Sequence, residues 1–165
     1  MKMETLRGLL ESIGFQNVKT YNQSGNVIFQ SDEEVEDVLQ KKIEIKIHEE
    51  FGFDVTVMLR TQKELELAIQ EAPFQAGKLK EGETLHIVFL SEAPSDAAVD
   101  VLVPYKNEAL DFEVKNRELY LFYRKNFRDI KFPIQKLKIF GTTRNWNTVN
   151  KVAAMRKAID EAMEQ

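Results

Sequence analysis

A chain of 165 residues with 43% hydrophobic and 30% charged residues has the composition of a packed protein and not of a disordered one, with room for one medium domain or two of about 70–80 residues. The absence of cysteine excludes a disulfide framework, a thiolate nucleophile and a zinc knuckle, and makes a reducing cytoplasm the plain expectation. Apolar runs such as Ile87–Leu90 fall far short of the roughly 20 residues of a membrane span, and Met1–Thr5 carries no signal core, so no membrane partner is expected.

Leu6, Leu9, Leu10 and Ile13 repeat at helical spacing, with Gly14 as a stop. Val18–Tyr21 and Val27–Gln30 read as two strands around Asn22-Gln23-Ser24-Gly25-Asn26, a loop of turn formers. Ser31 and Glu34 form a capping box that opens a helix through Val35, Val38, Leu39, Ile43, Ile47 and Phe51, ended by Gly52. Asp54–Arg60 is rich in β-branched residues and predicts a strand. A second capping box, Thr61 with Glu64, opens a helix burying Leu65, Ala68, Ile69 and Ala72 and stopping before Pro73. Residues 75–83 are the candidate linker.

Beyond the linker come a strand at Thr84–Leu90 and a short helix at Ser95–Leu102. A hairpin follows, Leu110–Val114 and Glu118–Tyr123, turning at Lys115-Asn116-Arg117. Pro133 suits the first turn of a short helix through Phe140. The last helix runs from Thr148 to about Met163 and buries Val149, Val152, Met155, Ile159 and Met163.

Residues 1–60 thus read α-β-β-α-β, and residues 84–143 read β-α-β-β-α plus a short extended piece. The second series matches the β-α-β-β-α-β plan, and the first matches it without an opening strand. The fold class is α+β: two tandem ferredoxin-like subdomains, the first lacking its opening strand, plus a C-terminal helix. The boundaries are 1–74, linker 75–83 and 84–165.

Two stretches carry a specific likeness. Tyr21–Phe29, with its Asn-Gln-Ser-Gly-Asn core, and Gly141–Val149, containing Arg144-Asn145-Trp146-Asn147-Thr148, resemble the signature segments of the bacterial domain-of-unknown-function family 1697. The resemblance runs from Met3 through the final helix and implies two ferredoxin-like halves, with no known reaction. It also implies a hydrophobic strand ahead of the first helix, to which nothing in this sequence corresponds. Such a gap leaves strand edges without partners, so the expectation is either a native start upstream of Met1 or a homodimer in which a second molecule fills the place.

Charge is spread unevenly. Residues 115–157 hold 12 Lys or Arg against Glu118 and Asp129, a window of +10, which leaves −14 for the remainder and −4 in all. Aromatics interleave with the bases in that window: Tyr120, Phe122, Tyr123, Phe127, Phe132, Phe140 and Trp146. Bases stack on such residues in RNA-recognition sheets, although no RNP-type Gly-Phe-x-Phe pattern is present and the same aromatics are needed for a core.

Catalytic and metal chemistry find little footing. His48 sits amid Lys and Glu on a helix, and His86 lies on the strand face opposite Leu85, Ile87 and Phe89. Neither belongs to a zinc-binding spacing, and no motif implies a cofactor. Asp32-Glu33-Glu34 and Glu49-Glu50 read as helix-end charges before they read as carboxylate pairs. Gln23, Ser24 and Asn26 are candidate ligand contacts on a loop whose plainer role is the turn itself, with Gly25 at positive φ. Arg144, Asn145, Trp146, Asn147 and Thr148 are the strongest candidates. They precede a helix whose free N–H groups favour an anion, Arg144 offers a bidentate donor and Trp146 a stacking face. The plainer alternative has Trp146 filling the interior while Asn147 or Thr148 caps the helix. An anionic, phosphate-bearing small molecule, held by the Gln23–Asn26 and Arg144–Thr148 loops on one basic face, is therefore the leading expected partner; nucleic acid ranks below it, and an enzyme of unidentified reaction is the third alternative.

Overall fold

The computed structural model describes residues 1–21, 25–125 and 130–164, with side chains described as far as Arg156. The chain divides into two units, Met1–Gln62 with Lys151–Gln165, and Lys63–Asn150.

In the first unit, α1 (Met3–Ser12) presents Met3, Leu6 and Leu10 on one face, at the spacing its apolar residues dictate. Strands β1 (Gln16–Tyr21) and β2 (Asn26–Gln30) form an antiparallel hairpin with a bulge between Gln16 and Lys19. Asn17 takes a φ of +52° there, a conformation Asn tolerates better than most residues. Helix α2 (Glu36–Phe51) lays Ile43 and Ile47 against Leu6, Leu10, Phe15 and Val18, and Gly52 ends it at a φ of +78°. Phe15 and Phe29 stack at 4.5 Å within this core.

Two expectations fail in this unit. The Ser31–Glu34 capping box does not form, because α2 begins at Glu36 behind Val35, which gives no side-chain cap. Ser31 Oγ instead accepts from the Glu33 N–H and Glu33 Oε1 from the Val35 N–H, local bonds that hold the entry in a turn. Residues 54–60 are not a strand either. Val55, Val57 and Leu59 alternate onto the core as strand residues would, yet the segment joins no ladder among the described residues. β-Branched alternation secures the side chains, but a ladder needs a neighbouring backbone. The Val57 N–H is met by Glu44 Oε1 at 3.0 Å.

The second unit is built on a sheet of order β4-β5-β3-β6, every pair antiparallel. Its strands are β3 (Thr84–Leu90), β4 (Leu110–Lys115), β5 (Glu118–Tyr123) and β6 (Gly141–Asn145). The β4–β5 turn is Asn116-Arg117, with Asn116 at a φ of +55°. On one face Val88, Leu90, Leu119, Leu121, Leu110 and Phe112 form a core with Leu102 of α4 (Asp96–Leu102) and with Leu137. Ser95 caps α4 as its position suggests, its Oγ accepting from the Ala98 N–H. The helix expected after Pro133 is only a 3-10 turn, Ile134–Leu137.

The opposite sheet face is covered as well. The register places Leu85 beside Phe122 and Ile87 beside Tyr120 on that face. Phe74 stacks on Phe122 at 5.0 Å, and the Tyr120 hydroxyl donates to the carbonyl of Ala68 in α3 (Gln62–Gln70). Between these elements, the segment read as a linker makes a 3-10 turn at Ala76–Lys78 with Ala76 buried. The last helix, α5 (Trp146–Glu164), follows β6 without an intervening loop.

Candidate functional site

The Arg144–Thr148 stretch is a strand-to-helix junction. Arg144 and Asn145 end β6, held to β3 opposite Ile87 and His86, and α5 begins at Trp146. The expected cap at Asn147 or Thr148 is thereby corrected by two residues or more: Asn145 is the cap, its Oδ1 accepting the Asn147 N–H at 2.8 Å. The side chain of Asn150 donates to the Trp146 carbonyl at 2.8 Å, bracing the first turn from within. Of the first-turn N–H groups, those of Trp146 and Thr148 are left without an intrahelical acceptor by helix geometry.

Arg144 points back along its strand. Its Nη1 donates to Thr142 Oγ1 at 2.6 Å and to the Thr143 carbonyl at 2.8 Å. Burial pushes the pKa of this guanidinium below its ordinary value. A guanidinium donates strongly to an anion, often through two N–H groups at once. Trp146 is half-buried, so it neither fills the core clusters nor stands fully free.

The other candidate loop is described only in part. Gln23 and Ser24 lie outside the described residues. Gly25 has a φ of +79°, and Asn26 donates to the Tyr21 carbonyl at 3.3 Å across the hairpin end, which is the turn-forming role. Asn26 belongs to the first unit and Arg144–Asn150 to the second.

The basic window is engaged locally. Arg117 pairs with Glu64 at 2.8 Å, Lys115 donates to the Glu71 carbonyl at 2.7 Å, and Arg124 lies 3.9 Å from Asp111 and over the Phe122 ring. Its strand aromatics are interior: Tyr120, Phe122 and Tyr123 are 0%, 4% and 7% exposed, so they form no open platform for stacking bases. Phe140 is exposed, and Phe127 is outside the described residues.

His48 is an exposed residue that contacts Asp54 at 2.8 Å. His86 shares the β3 face of Val88 and Leu90, meets Tyr123 edge-on at 5.5 Å, and has its pKa lowered by burial. No group of three or more His, Cys, Asp or Glu suited to a metal occurs among the described residues. Asp32–Glu34 precede α2 and do not form its first turn. No described helix is long and apolar enough to cross a membrane.

A feature that the sequence marks on one wall only is a cavity of about 620 Å³ between α4 and the edge strand β4. One wall is the helix face of Asp96, Val99 and Asp100 continuing to Val103, and the other is Phe112–Val114. Helical spacing marks the first wall, but β4 becomes an edge only through the tertiary strand order.

This is an α+β fold with two antiparallel sheets, similar to a solved structure of a conserved bacterial protein, SP0830 from Streptococcus pneumoniae. The TM-score is 0.75 at 18% identity, over 94% of this chain and 88% of that one. The family described as "Protein of unknown function (DUF1697)" matches residues 1–120, and the chain belongs to it, as the signature stretches suggested. No curated protein matches the chain.

Proposed function

We propose that the protein binds an anionic, phosphate-bearing small molecule at the β6–α5 junction, as a binding protein without catalytic chemistry of its own. The observation that carries this reading is the loop-free passage from Arg144 into α5. It places Arg144 two residues ahead of the first turn of a long helix, whose Trp146 and Thr148 N–H groups lack an intrahelical acceptor. In this reading Arg144 donates to the ligand, Trp146 supplies an apolar side, and Asn145 holds the junction rigid.

The same reading takes both units as ferredoxin-like. In the second, the strand order supports it, since the order of appearance 4-1-3-2 along the sheet is that of the β-α-β-β-α-β plan. In the first, support comes from the hairpin and from the alternation of residues 55–59. A cytoplasmic setting goes with it, supported by the lack of cysteine.

Thermal-shift screening with pyrophosphate and nucleoside monophosphates tests the proposal. A ligand at a hundred times its Kd stabilises by about 2.7 kcal/mol, a shift that is readily measured. Arg144→Ala should lose it while keeping the unliganded melting temperature. Equal shifts in wild type and variant, or none in wild type, would sink the reading.

A further inference from the structure

β4 is the terminal strand of the second unit's sheet, and the bonds around it show which backbone groups face outward. The Leu110 carbonyl accepts from the Asn107 N–H at 2.9 Å, and the Phe112 N–H is taken by Asp111 Oδ1 at 2.8 Å. Both therefore turn away from β5. Outward groups recur at every second residue of a strand, which places the Val114 N–H and carbonyl and the Phe112 carbonyl on the open edge. The β4–β5 hairpin agrees, because closure at Lys115 and Glu118 directs the backbone of Lys115, Glu113 and Asp111 inward.

The cavity lies along this edge. Its floor is apolar, from Val99, Val103, Phe112 and Val114. Around it stand Asp96, Asp100 and Glu113, none of which forms an ion pair among the described residues. Its one cation, Lys106, lies 3.5 Å from Asp111 and over the Phe112 ring, so it is already engaged. From Phe112 to Asn116 the edge is about 13 Å long, enough for an added strand of four or five residues.

We infer that this groove is a docking site for an extended peptide segment with alternating apolar and basic residues, which joins the sheet as a strand beside β4. The main chain pairs with Phe112 and Val114, and apolar side chains enter the floor between α4 and β4; the basic ones alternate to the opposite face beside Glu113, while Asp96 and Asp100 on α4 add a negative field along the groove. A second copy of the chain pairing through the same edge is the disfavoured occupant, because it would bring the two sets of carboxylates together. The inference is independent of the anion site at the other sheet edge.

The test titrates the full-length, ¹⁵N-labelled chain with an acetylated and amidated hexapeptide of alternating valine and lysine. The expected result is chemical-shift change concentrated at residues 96–103 and 112–116. N-Methylation of alternate peptide bonds in the probe should weaken binding about tenfold, because the edge bonds are lost while the protein is untouched. Val114→Pro should do the same from the protein side, since an edge strand tolerates proline at an outward N–H. Replacing the lysines of the probe by glutamate, or Glu113→Lys in the protein, should also weaken binding about tenfold.

Four results would overturn the inference. They are no perturbation at millimolar probe, perturbation elsewhere, indifference to N-methylation, and equal binding of the glutamate probe. Light scattering that shows a dimer abolished by Val114→Pro would assign the edge to a second copy and overturn it too.

Discussion

Removing one oxygen atom, by Tyr120→Phe, tests how α3 is held to the sheet. Helix α3 ends at Gln70, so its last carbonyls lack intrahelical partners. Ala72 turns its N–H to Ile69, at 3.3 Å, and the Ala68 carbonyl is met by the Tyr120 hydroxyl instead. Tyr120 is 0% exposed, and burial together with the charge of Glu118 raises its pKa, so the phenol is a neutral donor throughout the ordinary pH range. Phenylalanine keeps the ring packing and leaves a buried carbonyl without its donor, a loss of about 1–2 kcal/mol. For a chain of this size that corresponds to a fall of about 3–6 °C in melting temperature.

Differential scanning calorimetry at neutral pH is the assay, read on the transition that carries the second unit. The difference between wild type and variant should narrow above about pH 10, where the unfolded tyrosine ionises first. The folded pKa is raised, so the stabilisation is complete below the unfolded value and is lost as pH rises through the folded one. A melting temperature within about 1 °C of wild type would refute the account of α3 docking.

Two further outcomes follow from neighbouring residues. A methyl group at Gly141 would lie 2.8 Å from Val88 Cγ1 and 3.0 Å from Leu90 Cδ2, both side chains buried. Gly141→Ala should therefore cost about 1–3 kcal/mol in urea titration, and Val88→Ala on the same chain should recover part of it; strict additivity would argue against the close β3–β6 approach. The depressed pKa of His86 means that its contribution is intact above about pH 6.5 and is lost as pH falls below it, because the unfolded imidazole takes up a proton first. His86→Phe should flatten the fall of the urea midpoint between about pH 7 and 5, and an unchanged slope would contradict the burial of this ring.

Much of the second unit was legible in the sequence because local and tertiary demands coincide there. Thr84–Leu90 and Glu118–Tyr123 are strong strand formers that also find ladder partners, and Ser95 caps the helix that its position predicts. The first unit shows where such coincidence fails. Residues 54–60 have strand chemistry but join no ladder among the described residues, and Ser31 uses its hydroxyl in a turn two residues ahead. At the candidate site, the residue types Arg-Asn-Trp-Asn-Thr pointed to a helix N-terminus, and one is there. Which residue caps it is not legible in the sequence, because Asn145, Asn147 and Thr148 are all good caps and only the end of β6 decides among them. The groove beside β4 was out of reach, since an edge exists only once the strands are ordered.

The central claim is most directly tested by following the ¹⁵N resonances of the full-length chain during titration with pyrophosphate. Saturable shifts are expected, confined to the Arg144 side-chain Nε and the amides of residues 145–149 and absent in Arg144→Ala. Shifts scattered over surface lysines, or none at the α5 N-terminus, would contradict it.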